Sequence, residues 1–323
     1  MTQALVALRN AVKPSLAQLE AGDVVLVAVS GGADSLALAY AVLKEATPLA
    51  ITPVAITIDH QLQENSAVQA EKVSEQLKEM GYVNVLIEKV VVSTESGLEA
   101  GARTARYQAL NSSAEKEGAV KIFLGHTRDD QAETVLLGLA RGSGARSLSG
   151  MAIENGKYLR PFLQVTRQET EEACQELGLE IWNDPHNFNA DFTRVKVRHE
   201  ILPLMESKLG PGISAALART AGLLRDDADA LDGLAAAEIS HLNLTDIDCE
   251  YLTALPRALR TRVLRTAIYA CGAPEGSITS DHVAAAEALV TSWRGQGPLS
   301  LPGGVKVERI SGRLSLLAQP TRP

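Results

Sequence analysis

Cysteine is scarce in this chain: three among 323 residues, Cys174, Cys249 and Cys271, far apart and without a Cys-x-x-Cys pair. That spacing supports neither a disulfide framework nor a zinc or iron–sulfur site. Long apolar runs are missing too, and the first twenty residues carry Arg9, Lys13 and Pro14 where a signal peptide would have its continuous apolar core. A cytoplasmic protein without a membrane partner is expected. Positive charge is not in excess either, since the formal net charge is −8. Bulk affinity for nucleic acid is thereby disfavoured, although a local basic face is not. Aromatic residues make up only 4% of the chain, and three of the four Phe and one of the two Trp lie between 162 and 192. They serve either as local core or as a base-stacking platform.

What is present is an ordinary globular composition, 46% hydrophobic and 22% charged, at a length that accommodates a full α/β domain and a smaller one. The most informative stretch runs from Val24 to Leu36. An apolar, β-branched run meets Ser30-Gly31-Gly32-Ala33-Asp34-Ser35, and an Ala/Leu-rich helical pattern follows. This reads as strand, tight turn, helix. Two glycines keep side chains away from the turn's N–H groups, and the helix start adds its positive dipole end, so the loop suits phosphate. Asp34 occupies the place where a common phosphate loop carries Lys, which favours a Mg²⁺–phosphate complex over a naked anion. The simpler alternative is a βα turn in which Ser30 and Asp34 cap the helix.

Further strands are expected at 53–58, 83–87 and 120–124, separated by helices near 66–80 and 98–118, with another helix after 127. Buried strands alternating with helices imply a doubly wound parallel sheet, whose ligands sit beyond the carboxyl ends of the strands. The loops after residues 29, 58 and 124 all fall at those ends. The second contains Asp59 and His60, which are either a helix cap with a loop residue or part of the site. The third holds Gly125, Asp129, Asp130 and Glu133. A helix start places these three acids on one face, as a capping pattern or as a site for a metal or an ammonium group. Arg103 and Arg106, one turn apart, can reach a phosphate or carboxylate, or pair with surface acids. Glycines, serines, Arg141 and Arg146 mark 141–151 as an anion-binding loop. From 194 to 225 six basic residues, among them Arg194, Lys196 and Arg198, face two acids, and Pro256–Ala270 carries four arginines and no acid. A boundary is expected near 210, giving a domain at 1–210 and a mostly helical one at 211–323 that ends in short antiparallel strands.

Ser30–Ser35 resembles the Ser-Gly-Gly-x-Asp-Ser pyrophosphate loop (PP-loop) of the N-type ATP pyrophosphatases, which implies an adenine nucleotide alpha hydrolase-like fold. A wider set of motifs, in order, resembles the tRNA(Ile)-lysidine synthetase family. The matches are Ser30–Ser35, Asp59-His60-x-Leu62, Glu99 through Arg106-Tyr107, Gly125-His126 with Asp129–Thr134, Arg141–Gly144, Asp184-Pro185 with Asn187, and Arg194 with Arg198. The resemblance implies an ATP- and Mg²⁺-dependent ligase that joins free lysine to C2 of the wobble cytidine in a CAU-anticodon isoleucine tRNA. It proceeds through an adenylated cytidine, releasing pyrophosphate and then AMP. Carried onto this chain, it implies nucleotide binding by Ser30, Gly31, Gly32, Ala33, Asp34, Ser35, Ile58 and Gly125. It places Mg²⁺ at Asp34 and Asp130, catalytic roles at Asp34, Asp59, His60, Arg103, Asp129, Asp130 and Glu133, and tRNA contacts at Arg141, Arg146, Arg194, Lys196 and Arg198. The oligomeric state is open, with a homodimer as one option. Rivals are a thiolase on the same fold, disfavoured by the cysteine count, a small-molecule amidating enzyme, and an ATP-binding regulatory module.

Overall fold

The computed structural model describes residues 2–63, 65–93, 97–142, 144–182, 193–274 and 276–318, with Glu99 described by its backbone alone. The motif positions Ser143, Asp184, Pro185 and Asn187, the Glu99 side chain, and Phe188 and Phe192 of the aromatic stretch lie outside the described residues. Two compact units divide the chain, Met1–Arg225 and Asp226–Pro323.

The first unit opens with α1 (Gln3–Leu16), where Leu5, Leu8, Val12 and Leu16 form a buried stripe at helical spacing. Then come β1 (Val24–Ala28), α2 (Ala33–Ala46), β2 (Thr52–Asp59), α3 (Ser66–Met80), β3 (Val85–Lys89), α4 (Leu98–Lys116), β4 (Ala119–Phe123) and α5 (Arg128–Ala140). A short α6 (Ala145–Leu148) precedes a hairpin, β5 (Glu154–Asn155) and β6 (Tyr158–Leu159), and α7 (Arg167–Glu176) follows. Next are α8 (Thr193–Lys196), a π-helical turn over Val197–Ile201, α9 (Leu202–Leu209) and α10 (Ile213–Ser240). The sheet order is β3-β2-β1-β4-β6-β5, parallel throughout except for the β5–β6 pair. The expected parallel strands are present; the hairpin at 154–159 is an addition, because two-residue strands leave no periodicity to read.

Side-chain alternation divides the strands between two apolar layers. Val25, Val27 and Val29 pack towards α1, α2 and α7, whereas Leu26, Ala28, Val54, Ile56 and Ile122 pack towards Leu110 and Ala114 of α4. The order of connection reverses between β1 and β4, which opens a crevice at their carboxyl ends. The loops carrying Ser30–Ser35 and Gly125–Asp130 flank that crevice. Gly210 (φ +103°) and Gly212 (φ +97°) break the chain between α9 and α10, where the sequence suggests a boundary. The division between compact units falls later, within the span of α10.

The second unit contains β7 (Ile247–Asp248), α11 (Cys249–Ala254), α12 (Arg257–Ala270), α13 (Ser280–Thr291), β8 (Leu299–Leu301), β9 (Val305–Ile310) and β10 (Arg313–Ala318). Its sheet is antiparallel in the order β7-β10-β9-β8, with Val307, Leu314 and Leu316 packed against Val263, Leu264 and Ile268. The tail strands are as expected, and β7 adds a fourth. Among the described residues no helix is long and apolar enough to cross a membrane.

Candidate active site

Gly31 carries the phosphate-loop turn at φ +88°, and a Cβ there would lie 2.7 Å from Val73 Cγ2, so both backbone angle and space exclude a side chain. The Ser35 hydroxyl closes the loop, donating to Gly32 O at 2.9 Å and accepting from Ser30 N–H at 3.1 Å. Among the described residues, the N–H groups of Gly31, Gly32, Ala33 and Asp34 have no acceptor in the protein. Four free donors at the start of α2 form an anion nest. Gly32 is the N-cap of α2 and no side chain caps it, so the simpler capping role for Ser30 and Asp34 is not what the structure shows. Asp34 turns towards α7 instead, accepting from the Thr170 hydroxyl and lying 3.6 Å from Arg167 Nε. Burial raises its pKa to about 6, with Asp130 adding to the rise and Arg167 opposing it.

Gly125 brings the β4 loop against this one, since a Cβ there would stand 2.9 Å from Asp34 O. At the start of α5, Asp130 Oδ2 accepts from Thr127 N–H at 2.9 Å, so the capping role is real for one carboxylate oxygen. The other oxygen faces cations: Oδ1 is 3.1 Å from Arg198 Nη2, 3.3 Å from Arg167 Nη2 and 3.6 Å from Arg194 Nη2. Burial pushes the Asp130 pKa up, but Arg167, Arg194 and the Thr127 N–H outweigh it and hold the carboxyl below its ordinary range. Glu133 is fully buried and accepts from Arg198 Nε at 2.6 Å and Arg194 Nε at 2.8 Å. Asp129 Oδ2 accepts the backbone N–H of Arg167 at 2.9 Å. Three arginines from α7, α8 and the π turn thus surround the acids of α5.

A cavity of about 440 Å³ lies beside these groups. Ser30 and Gly32 line it from the phosphate loop, Ile56, Ile58, Asp59 and His60 from β2 and its end, Gln69 and Val73 from α3, Ala102 and Arg106 from α4, and Trp182, Arg194 and Arg198 from later segments. Asp59 is buried and its Oδ1 accepts from Gln61 N–H at 2.9 Å, shaping the turn in which Gln61 takes φ +55°. Of the α4 pair, Arg103 is exposed with its guanidinium over the Tyr107 ring at 4.9 Å, while Arg106 faces the cavity and makes no hydrogen bond or ion pair among the described residues. Burial lowers the pKa of Arg106 and holds His126 neutral, and no described residue partners His126 Nδ1. Arg141, Arg146 and Lys196 are exposed. Arg194 and Arg198 therefore turn into the site, apart from the other basic residues with which the sequence groups them.

Sequence reading missed Arg167 and left the role of Arg106 undecided. Arg106 was within reach, because it stands one turn from Arg103 on the same helix. Arg167 had no local signal: its partners lie 34 to 133 residues earlier in the chain.

A nest for phosphate at the switch point of a parallel sheet, with an aspartate where lysine is commonly found, defines the class: residues 5–205 match the family described as PP-loop domain. Residues 247–315 match the TilS substrate binding domain. The chain is 51% identical over 312 residues to tRNA(Ile)-lysidine synthase of Thermobifida fusca, covering 96% of each chain. It is 51% identical over 301 residues to the Streptomyces coelicolor enzyme of the same name, covering 92% of this chain and 86% of that one. The chain belongs to the tRNA(Ile)-lysidine synthase family. A solved structure of the U34-tRNA thiolase NcsA from Methanococcus maripaludis, with its [4Fe-4S] cluster, shares the fold at TM-score 0.58 and 18% identity, covering 69% of this chain and 80% of that one.

Proposed function

We propose that this protein ligates free lysine to C2 of the wobble cytidine of a CAU-anticodon isoleucine tRNA, at the expense of ATP. The observation that carries the reading is the phosphate nest at a cavity whose Arg194 and Arg198 pair with the buried acids of α5, in a chain of this family. The cytidine oxygen is adenylated with loss of pyrophosphate, and the lysine ε-amine then displaces AMP. The N–H groups of Gly31–Asp34 bind and orient the phosphates, and Gly125 lets the second loop approach closely. Ile58 and the apolar wall beside it receive the adenosine, with Asp59 and His60 at its edge.

Asp34 and Asp130 fit a divalent cation, since they share one guanidinium and Asp130 disfavours ionisation of Asp34. Among the described residues no three His, Cys, Asp or Glu side chains form a metal cage. Two carboxylates completed by phosphate oxygens are what Mg²⁺ ordinarily uses. Bound there, Mg²⁺ would neutralise charge on the leaving pyrophosphate. Asp129 and Glu133 receive the lysine ammonium groups or accept a proton from the attacking amine. Arg106, inside the cavity, is better placed than exposed Arg103 to hold the lysine carboxylate. Arg141, Arg146 and Lys196 supply tRNA phosphate contacts, while Arg194 and Arg198 order the acids.

The test is transfer of labelled lysine to an isoleucine tRNA transcript, with and without ATP, against a methionine tRNA control. ATP-dependent labelling of the isoleucine tRNA alone is expected. Pyrophosphate release without lysine transfer would sink the assignment and leave the nucleotide chemistry standing. Asp130→Asn should abolish pyrophosphate exchange, and Glu133→Gln should raise the lysine KM with adenylation intact. Neither step changing in either variant would overturn those roles.

A further inference from the structure

Arg167 lies in none of the motifs, yet it ties the site's acids together. It is the first residue of α7, where a positive side chain opposes the helix dipole. The capping box of Thr166 and Glu169 starts that helix without its side chain. Local helix chemistry gives no reason for an arginine here; the acids do. Its guanidinium lies 3.6 Å from Asp34, 3.3 Å from Asp130 and 3.6 Å from Glu133. Thr170, on the next turn of α7, donates to Asp34, so one helix supplies both a charge and a hydroxyl to the phosphate loop.

We infer that Arg167 is a positioning residue serving as the site's internal counter-cation. In the nucleotide-free protein its guanidinium sits against both Asp34 and Asp130, and it yields them to the divalent cation that arrives with nucleotide. The inference rests on the assignment of those two aspartates to the cation. Two carboxylates gathered at one guanidinium would repel each other without it. Arg167 prevents this, and its contacts are loose enough to exchange: those to Asp34 and Glu133, at 3.6 Å, exceed hydrogen-bond length, and the hydrogen bond to Asp130 is long at 3.3 Å. Glu133 keeps Arg194 and Arg198 at 2.8 and 2.6 Å when Arg167 leaves, and Asp130 keeps Arg198 at 3.1 Å. Asp34 alone loses its only ion-pair partner among the described residues, and it is the carboxylate closest to the phosphate nest.

Mn²⁺ binding to the full-length protein, followed by electron paramagnetic resonance without nucleotide, tRNA or lysine, tests this. Wild type should bind weakly, R167Q at least about tenfold more tightly, the scale of one close opposite charge, and R167K in between. The double variant R167Q/D34N should lose the gain. Binding by R167Q no tighter than wild type, or a gain that survives D34N, overturns the proposal. Should R167Q fail to fold, R167K against wild type decides, and equal affinities overturn it. The assay needs neither tRNA nor lysine, so failure of lysine transfer with these results intact would count only against the proposed function.

Discussion

Glu133 shows how much a single buried charge can hold. It has no exposed surface and two guanidinium groups close on it, so its removal takes a close carboxylate partner from both Arg194 and Arg198. Glu133→Ala should cost about 3 kcal/mol in denaturant unfolding, at the low end for a broken buried pair because both arginines keep some contact with water. Cys174 makes a second prediction at this scale. Burial pushes its thiol up to about 12, with Asp34 adding to the rise, and its Sγ–H donates to Ala33 O at 3.4 Å. Iodoacetamide at pH 8 should leave it unlabelled in the native protein and label it after unfolding. The phosphate loop was readable from sequence because its glycines, acid and hydroxyls are neighbours in the chain. Arg167 and the inward turn of Arg194 and Arg198 were not, because ion pairs over such separations have no local pattern.

Elements bring these residues to their places, and the π-helical turn at Val197–Ile201 is a clear instance. It lies in an otherwise α-helical run and helps aim Arg194 and Arg198 at the same carboxylate. The sequence marks this stretch only as basic, and no local pattern locates the extra residue in one turn. Deleting one residue within it would rotate Arg198 away from Glu133. In the second unit, α12 and α13 are joined by Arg260 and Arg257, whose donors lie 2.9 and 3.2 Å from Glu287. Burial would raise the Glu287 pKa, but these hydrogen bonds outweigh it and hold the carboxyl below its ordinary 4.5. A carboxyl depressed on folding stabilises above its unfolded pKa, and that stability fades as pH falls through the folded value. Glu287→Gln should therefore lower thermal stability at pH 7, and the gap from wild type should narrow and close as pH falls below the ordinary 4.5. A gap independent of pH would point to packing instead.

Across the whole molecule, charge is sorted rather than abundant. The chain carries net −8, yet Arg141, Arg146 and Lys196 stand exposed while Arg167, Arg194, Arg198 and Arg260 are committed to buried acids. tRNA affinity should fall as salt rises, and Arg141→Ala with Arg146→Ala should flatten the log–log slope by about 1 for each lost phosphate contact. An unchanged slope would remove that loop from the interface. The sheet order, whose reversal sets the crevice between β1 and β4, has a consequence for synthesis. A ribosome delivers the phosphate loop by residue 35 and the α5 acids by residue 133, but Arg167, Arg194 and Arg198 emerge later. From residue 133 to residue 167, about thirty-four residues of translation, the nascent chain holds these acids and none of the three arginines. During that interval a passing cation or a chaperone can stand in for the missing partners.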